Sequence, residues 1–458
     1  MAAGASPVKL LVLRLRTGEH LISASPAQHL ISSPARAGTL APPPASMSAG
    51  TFVVTVRTHD ARYNRPVASV VVHSRVSTRP TWAEVSLSSL SHNFLEVQRH
   101  VGASVVCAVV KADAYGHGAV ECSLVLEKAG ARWLGVTSTD EALPLREAGI
   151  RTRILLMTGF WRGEEHEVVR QSLTATVWEP WHLELLDRAA IELGVPTVPV
   201  HLKIDTGMGR LGASPEQLFP VLALLKRSNR LKLEGLCTHF ASSEVMDSIE
   251  TRHQMERFAT AEELVREAGF APGIIHLSNS AAVVTCPDSW RSMVRPGLAL
   301  YGYTLPLQQS ETRGDARPNF ESGMDLRAVL SWKTRILSLR DVAANQALGY
   351  NGTYVTQAPS RIAVLPLGYA DGLNRRLSNR GRVIVRDSYA PIVGRISMDL
   401  TLVDVTNIPQ IQVGDEVVLI GASGECSVDA LEQARLADTS PYEILCGLSK
   451  RVPRKYVT

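Results

Sequence analysis

From about residue 82 onward, short apolar runs of strand type alternate with amphipathic stretches of helical length. The eight strand candidates are SVVCAVV before Lys111, RWLGVT before Ser138, RILLMT before Gly159, LTATVW before Glu179, TVPVHLKID near Asp205, LEGLCTHF at His239, GIIHLSN ending at Asn279 and SMVRPG at Arg295. Helix candidates between them include AVECSLVLEKAG, TDEALPLREAGI, SPEQLFPVLALLKRS and MERFATAEELVREAG. Several of these close with glycine, the usual residue after a helix end.

This alternation indicates a parallel (β/α)8 barrel, because strands that are buried on both faces carry few polar residues. The architecture takes about 250 residues. We therefore predict an α/β fold whose N-terminal part, residues 81–325, is a (β/α)8 TIM-type barrel that carries the chemistry.

The pattern changes after about residue 304. The stretch TLPLQQSETRGDARPNFESGMD is polar and predicts a surface connection. From Leu326, apolar residues alternate with period two between closely spaced Gly and Asp turns, as in VLSWKTRILSLRDV, RIAVLPLGYADG, GRVIVRDSYAPIVGRISMD, LTLVDVT and GDEVVLIG. These segments predict a mainly β C-terminal domain over residues 326–458.

The first 80 residues differ from the rest of the chain and are treated as an N-terminal extension outside the fold. They are rich in Ala, Ser, Pro and Arg, and Glu19 and Asp60 are their only acidic residues. This composition suits an organelle transit peptide. It also suits a segment that precedes a later start codon such as Met47, or a disordered tail. The last two interpretations are favoured.

Composition narrows the function classes. The chain is 45% hydrophobic and 20% charged with a net charge of +4, which argues against a dedicated nucleic-acid binder. No apolar run approaches the roughly 18 residues of a membrane span. The six cysteines form no CxxC pair, so we expect reduced thiols in a cytoplasmic protein and no metal site.

Polar residues collect where the predicted barrel strands end, and barrel enzymes place their chemistry there. They are Lys111, Tyr115 and His117 after the first strand, Lys203, Asp205 and Arg210 after the fifth, His239 after the sixth, Asn279 and Ser280 after the seventh, and Arg295 and Gly297 after the eighth. A barrel with a purely structural role would need few of them.

Lys111 is the most informative of these residues, because lysine is almost never fully buried without a partner. In a partly desolvated site its amine has a lowered pKa and can form a Schiff base. From spacing alone, a lysine that extends from the strand end into solvent is the commoner case. The glycines of the following YGHG segment favour a ligand, since they let the backbone approach it closely.

A second group of residues suits an anion. SNSAA opens a helix with Asn279 or Ser280 at the cap position, and RPGLALYG offers free backbone N–H groups at Gly297 and Leu298. Helix starts and such backbone nests bind phosphate, and barrels often hold one between their last two strands. Simple helix capping is the alternative for Ser280. A Schiff-base lysine combined with a phosphate site indicates pyridoxal 5'-phosphate as the cofactor.

With these residues in place, the chain resembles the alanine racemases, which are pyridoxal-phosphate enzymes of fold-type III. The resemblance runs from about Thr81 to Val457. Its motifs follow in the family's order: VVKADAYGHG, HLKIDTGMGRLG, THFASSE, SNSAA, MVRPGLALYG, LGYADG, GRISMD and SPYEILCGLSKRVPR.

The resemblance implies a role for each matching residue. Lys111 would bind the cofactor covalently and act as the base on the D-face, and Tyr350 would be the base on the L-face. Arg295 would face the pyridine nitrogen, and His239 would support the ring. The resemblance further assigns Tyr115, Ser280, Gly297, Leu298 and Tyr442 to the phosphate, with Asn279 beside them, Arg210 and Met398 to the substrate carboxylate, and Lys203, Tyr369 and Asp399 to supporting roles.

In the family the second base comes from the partner subunit, so the resemblance implies a homodimer with shared active sites. The implied reaction interconverts L-alanine and D-alanine and supplies D-alanine for peptidoglycan. One departure from some relatives is Ser397, where they carry Cys before Met398. It concerns access to the site and leaves the chemistry in place.

Three other functions remain open. One is a racemase of serine or of a broader amino-acid range on the same scaffold. Another is a fold-type III amino-acid decarboxylase, which Arg295 disfavours because these enzymes place an acid opposite the pyridine nitrogen. The third is a non-catalytic cofactor carrier, which the second domain with Tyr350 disfavours.

Overall fold

The structure is a computed structural model that describes residues 79–305 and 323–458. All but the last two residues of the predicted extension over residues 1–80, and most of the predicted polar connection after residue 304, lie outside the described residues. The described chain begins with strand β1 (Thr81–Ser86) and helix α1 (Leu87–Val101). Ser86 caps this helix by accepting a hydrogen bond from the Ser89 N–H at 3.1 Å.

The eight predicted barrel strands are all present and form one parallel sheet. They are β2 (Val105–Val109), β3 (Trp133–Val136), β4 (Arg153–Leu156), β5 (Thr174–Val177), β6 (Val198–Lys203), β7 (Leu231–Cys237), β8 (Ile274–His276) and β9 (Met293–Val294). Strand β9 pairs with β2 at Val105 and Met293. The Ser292 N–H donates to the Ile275 carbonyl at 3.1 Å, which joins β9 to β8 and closes the barrel.

Helices follow the strands around the outside of the barrel, as the amphipathic stretches predicted. They are α3 (Ala119–Lys128), α4 (Thr139–Glu147), α5 (Glu165–Arg170), α6 (Pro180–Glu192), α7 (Pro215–Arg227), α8 (Ile249–Glu267) and α9 (Ser280–Thr285). The short segment α2 (Lys111–Tyr115), directly after β2, is a left-handed turn and not a right-handed helix. The predicted helices at α3, α4, α7 and α8 are therefore confirmed. Gly130, Gly149 and Gly269 follow three of them with positive φ, as residues after a helix end usually do.

The second domain is mainly β, as predicted. Its strands are β10 (Leu330–Arg335), β11 (Ser338–Val342), β12 (Ala347–Leu348), β13 (Tyr354–Val355), β14 (Ser360–Leu365), β15 (Arg382–Val385), β16 (Ser388–Pro391), β17 (Thr401–Asp404), β18 (Glu416–Ser423), β19 (Cys426–Val428) and β20 (Arg454–Val457). Helices α10 (Ala430–Ala437) and α11 (Pro441–Cys446) precede the last strand. Short 3-10 helices lie at Pro287–Ser289, Leu298–Tyr301, Tyr350–Gly352, Tyr369–Asp371 and Arg375–Leu377.

The first strand of the described residues, β1, belongs to a different domain from the one predicted for it. Strand β1 lies at the beginning of the range predicted for the barrel, but it pairs antiparallel with β10 and parallel with β20. It therefore belongs to the seven-stranded sheet of the second domain. Thr81 shows why, since its hydroxyl bonds to the Thr334 hydroxyl at 2.8 Å in a fully buried contact. The barrel strands themselves begin at Val105.

The core follows the apolar pattern of the sequence. One large buried cluster joins the barrel strands to their helices, and a second fills the interior of the C-terminal sheets. Because the barrel strands are parallel, their carboxyl ends open on one face, and the loops that follow them surround a common cavity. Across the two described ranges, no helix is both long and apolar enough to span a bilayer.

Candidate active site

The polar residues predicted at the strand ends do come together. Lys111, Lys203, Arg210, His239 and Arg295 line one cavity at the barrel mouth. Its other lining residues are Thr137, Leu155, Met157, Thr158, Thr176, Cys237, Thr238 and His276. Among these described lining residues there is no Asp or Glu, so the cavity has a positive potential that suits an anionic ligand.

Lys111 directly follows β2 and projects into this cavity. Burial lowers the pKa of its amine, and the positive charge of Arg210 lowers it further. Cys446 and Glu141 partly offset the effect. Since a neutral amine is the nucleophilic and basic form, the site favours the reactive state of Lys111.

Arg295 lies on the last strand end with only 7% of its surface exposed. Its Nη2 donates to the carbonyls of Thr238 at 2.8 Å and Leu277 at 3.0 Å, and its Nη1 lies 2.7 Å from Nδ1 of His276. An arginine can only donate, so Nδ1 of His276 accepts and its proton is on Nε2. Arg295 is thus fixed as a cation that cannot give up a proton in ordinary chemistry.

The histidine behind Arg295 continues this network into the barrel interior. Nε2 of His276 donates to Nδ1 of His201 at 2.8 Å, and Nε2 of His201 lies 3.5 Å from the Glu234 carboxylate. Burial, followed by the charge of Arg295, holds the pKa of His276 well below its usual range. His276 is therefore neutral and does not compete with Arg295 for a negative charge.

His239 faces the same cavity and is also neutral. Burial and the neighbouring charges of Arg295 and Lys203, in that order, lower its pKa to about 2. Its Nδ1 lies 3.4 Å from Nη2 of Arg295. A neutral ring at this position can pack against a planar ligand without adding charge.

Lys203 is the last residue of β6, and Arg210 belongs to the loop that follows it. Lys203 is buried, and burial lowers the pKa of its amine, with smaller contributions from Arg295 and Arg210 in the same direction. The Asp205 carboxylate accepts hydrogen bonds from the N–H groups of Gly207 at 3.0 Å and Gly209 at 3.1 Å. This turn shapes the loop that presents the exposed Arg210 to the cavity.

The predicted anion group lies between the last two strand ends; one of its details differs from the prediction, and the structure decides between the two predicted cap residues. The Gly297 N–H is not free, since it donates to the Ser280 hydroxyl at 2.7 Å. Asn279, not Ser280, caps α9, because its Oδ1 accepts from the Ala282 N–H at 3.0 Å. The Ser280 side chain is thereby turned towards the segment of Gly297 and Leu298 instead of its own helix.

Two tyrosines complete this group. The Tyr115 hydroxyl lies so close to Gly297 that a Cβ there would sit 2.1 Å from it, which explains the glycine. The rings of Tyr115 and Tyr442 have centroids 5.7 Å apart. Burial raises the pKa of Tyr442 to about 12, so its hydroxyl stays protonated and can donate to an anion.

His117 is fully buried and lies in the turn after Lys111. Its Nδ1 lies 2.9 Å from the carbonyls of Ala114 and Tyr115, and its ring stacks on Tyr301 at 4.5 Å. Burial lowers its pKa to about 4. These contacts support the loop, in keeping with the absence of any catalytic role assigned to His117.

Four other predicted residues gather in a second cavity, on the C-terminal domain. Tyr350, Tyr369, Met398 and Asp399 line it, together with Arg375 and two neighbours. In the described chain this cavity shares no lining residue with the cavity of Lys111. Tyr350 is 68% exposed and Met398 is 52% exposed. The predicted site residues therefore fall into two groups within one chain.

The sequence interpretation missed three residues of these cavities or their walls. His276 ends strand β8, so the rule that located the other strand-end residues could have found it. Nothing in the local sequence DGLNRRLSN indicates that Arg375 lines a cavity. Glu141 contacts the turn after Lys111 from the next helix, a contact that sequence spacing does not reveal. In the described part of the chain, no three His, Cys, Asp or Glu side chains are grouped as metal ligands.

Comparisons with known proteins agree with this arrangement of domains. Residues 85–305 match the family described as "Alanine racemase, N-terminal domain", and residues 329–456 match "Alanine racemase, C-terminal domain". An alanine racemase of Halothermothrix orenii is 41% identical over 380 residues, which cover 83% of this chain and 97% of that protein.

Solved structures show the same fold. The alanine racemase of Streptomyces coelicolor A3(2) superposes with a TM-score of 0.77 at 32% identity, covering 83% of this chain and 99% of that one. An alanine racemase of Bartonella henselae, solved with covalently bound pyridoxal phosphate, superposes with a TM-score of 0.73 at 28% identity, covering 82% and 99%. With both domains matched in order and almost the full length of its relatives covered, the chain belongs to the alanine racemase family.

Proposed function

We propose that this protein interconverts L-alanine and D-alanine, with pyridoxal 5'-phosphate bound at Lys111. The observation that supports this most directly is the cavity in which a buried lysine of lowered pKa lies among Arg210, Arg295 and a neutral His239, with no carboxylate in its described lining. The relatives named alanine racemase and the pyridoxal phosphate of the Bartonella henselae structure support the same assignment.

The residues present fit this cofactor. Lys111 would attach the cofactor covalently, and Arg295 and His239 would lie beside its ring. Tyr115, Ser280, Gly297, Leu298 and Tyr442 would surround its phosphate, and Asn279 fixes the start of α9 next to them. When bound, pyridoxal phosphate withdraws electrons from the substrate Cα and so makes its proton removable.

Arg295 favours racemisation over other chemistry at such a site. Its guanidinium remains protonated and donates hydrogen bonds, so it holds no transferable proton at the ring nitrogen. A decarboxylase needs an acid there to strengthen the withdrawal of electrons. The neutral His276 behind Arg295 keeps the position cationic and supplies no acid.

Two bases are required, because racemisation removes a proton on one face of Cα and returns one on the other. The amine of Lys111 serves the D-face, and the phenol of Tyr350 serves the L-face. Arg210 and the backbone of Met398 hold the substrate carboxylate. Tyr369 and Asp399 shape the access to it, and Lys203 supports Arg210.

The placement of these residues supports a homodimer with shared active sites. In one chain, Lys111 and Tyr350 line different cavities. The second cavity is surrounded by exposed Tyr350, Tyr369, Met398 and Leu400, a set of apolar side chains that another surface would cover. A partner subunit that places its Tyr350 opposite Lys111 completes the site and buries this set. We further propose that the reaction supplies D-alanine for peptidoglycan and takes place in the cytoplasm.

The reaction is tested by following the α-proton in deuterated water. The purified protein with added pyridoxal phosphate should form D-alanine from L-alanine and incorporate deuterium into both. In Tyr350→Phe, exchange from L-alanine should fall far more than exchange from D-alanine, because only the L-face base is lost. Tyr389→Phe, which alters another exposed tyrosine of the same domain, should leave both rates unchanged.

Equal losses from both faces in Tyr350→Phe would contradict the assignment of two bases. If the protein formed no D-alanine but turned over serine or another amino acid rapidly in a parallel assay, that amino acid would be assigned as the substrate.

A further inference from the structure

The turn that follows Lys111 has an unusual backbone. Ala112, Asp113, Ala114 and Tyr115 have φ values of +52°, +54°, +53° and +54°, so four consecutive residues that are not glycine are left-handed. Left-handed backbone is unfavourable for residues with a side chain, because the Cβ comes too close to the following carbonyl oxygen. A turn of this kind persists only where the surrounding structure fixes it.

Glu141 contacts this turn at its first residue. From α4 its Oε1 accepts the Ala112 N–H at 2.7 Å, which belongs to the peptide bond between Lys111 and Ala112. Its Oε2 accepts the N–H of Thr137 at 2.7 Å and the Thr137 hydroxyl at 2.9 Å. One carboxylate thus joins the peptide after Lys111 to the end of the neighbouring strand β3.

Other contacts hold the far end of the turn. Asp113 Oδ1 accepts the Ala119 N–H at 2.8 Å, and Nδ1 of His117 lies 2.9 Å from the carbonyls of Ala114 and Tyr115. Among the side chains described for this region, Glu141 is the one whose hydrogen bond adjoins Lys111 itself.

We propose that Glu141 is a positioning residue, whose hydrogen bond to the Ala112 N–H holds the left-handed turn and thereby directs the Lys111 amine into the cavity. The geometry that supports this is the link from Glu141 to both Ala112 and Thr137, since Thr137 and Lys111 line the same cavity. The inference rests on the proposed function of Lys111, and it assigns Glu141 no contact with substrate or cofactor.

The variant that tests this is Glu141→Gln, which keeps the size of the side chain. An amide oxygen can accept from one of the two N–H groups, but the amide nitrogen presents its own N–H groups to the other, so one of the two donors loses its partner. Covalent capture of pyridoxal phosphate at Lys111, followed by absorbance in the cofactor-free chain, should slow by about tenfold. Glu147→Gln, at an exposed position of the same helix, should capture the cofactor at the original rate.

A second substitution separates positioning from general stability. Ala112 is exposed, and glycine adopts a positive φ without steric cost, so Ala112→Gly lowers the strain of the turn and leaves no cavity. We expect Ala112→Gly to restore most of the capture rate to Glu141→Gln. Amide hydrogen exchange of Ala112–Tyr115 in the cofactor-free chain should be faster in Glu141→Gln, while exchange in the barrel strands stays unchanged.

Three results would overturn the proposal: an unaltered capture rate in Glu141→Gln, a slow rate that Ala112→Gly fails to restore, or unchanged exchange at Ala112–Tyr115. The exchange measurement needs no cofactor. If the original protein captured no pyridoxal phosphate at all, the proposed function would fail, while faster exchange at the turn would still support the role of Glu141.

Discussion

At the scale of single residues, the proposed chemistry depends on the protonation state of the Lys111 amine at the barrel mouth. Burial and the Arg210 charge lower the pKa of Lys111, so it loses its proton at a lower pH than an exposed lysine. Cys446 and Glu141 act in the opposite direction. The neighbouring Arg295 and His239 are fixed as a cation and a neutral ring. Lys111 and Lys203 are therefore the two amines of this cavity with a lowered pKa, and Lys111 is the one proposed to react.

Arg210→Gln should shift the pH dependence of Lys111. The charge of Arg210 is the second-largest cause, after burial, of the lowered pKa of Lys111. Removing this charge raises that pKa, so a higher pH is needed to obtain the neutral amine. The rate at which a small aldehyde reacts with Lys111 in the cofactor-free chain should reach its half-maximum at higher pH than in the original protein. Arg188→Gln, on the exposed side of α6, is the matched control. A midpoint that stays the same or moves to lower pH would contradict the account.

Sequence could identify residues at strand ends but not their exact hydrogen-bond partners. Lys111, His239 and Arg295 were found because a polar residue that ends a buried strand is conspicuous. The Gly297 N–H, in contrast, was predicted to be free and is bound by Ser280. Which donor meets which acceptor depends on distances of a few tenths of an ångström across separate loops, and a linear pattern carries no such information.

At the scale of elements, an ion network joins the start of the described chain to the second cavity. Asp371 is 1% exposed, and Arg79 donates to it at 2.9 Å. Arg451 lies 3.5 Å from the same carboxylate and donates to Asp399 at 2.7 Å. Asp371 also accepts the Gly368 N–H at 3.0 Å, beside Tyr369. The network therefore fixes the two segments that carry the proposed access residues.

Asp371→Asn should disturb these segments. It removes the charge that both arginines face, and because Arg79 and Arg451 are partly exposed the loss is smaller than for a fully buried ion pair, about 1–2 kcal/mol. We expect a lower midpoint of thermal unfolding and a KM for alanine that rises more than kcat falls, because the carboxylate contact at Met398 is displaced. Asp341→Asn, at an exposed position of β11, should change neither quantity. An unchanged KM in Asp371→Asn would show that the network does not position the access segments.

The order of elements was largely predictable, whereas one pairing was not. Eight apolar runs gave eight barrel strands, because a buried parallel strand must be apolar along its whole length. Strand β1 was assigned to the barrel because it precedes it in sequence. Its pairing with β10 and β20 spans the entire barrel in sequence, so only the folded chain reveals it.

At the scale of the whole molecule, the two cavities support the proposal that two chains share each active site. The barrel carries Lys111 in a positive cavity, and the C-terminal domain carries the exposed Tyr350 in another. Sequence predicted the first group from the ends of the barrel strands and the second through the resemblance to the family. It could not give their separation within one chain, which depends on how the two domains pack.

The most direct test of the central claim, that two chains share each active site, is to mix two inactive variants. Lys111→Ala keeps Tyr350, and Tyr350→Phe keeps Lys111. After unfolding and refolding together in equal amounts, about half of the dimers contain one chain of each kind, and each of these has one intact site. The account predicts recovery of about one quarter of the original racemase activity. No recovery, with mixed dimers shown to be present, would contradict it and place both bases within one chain.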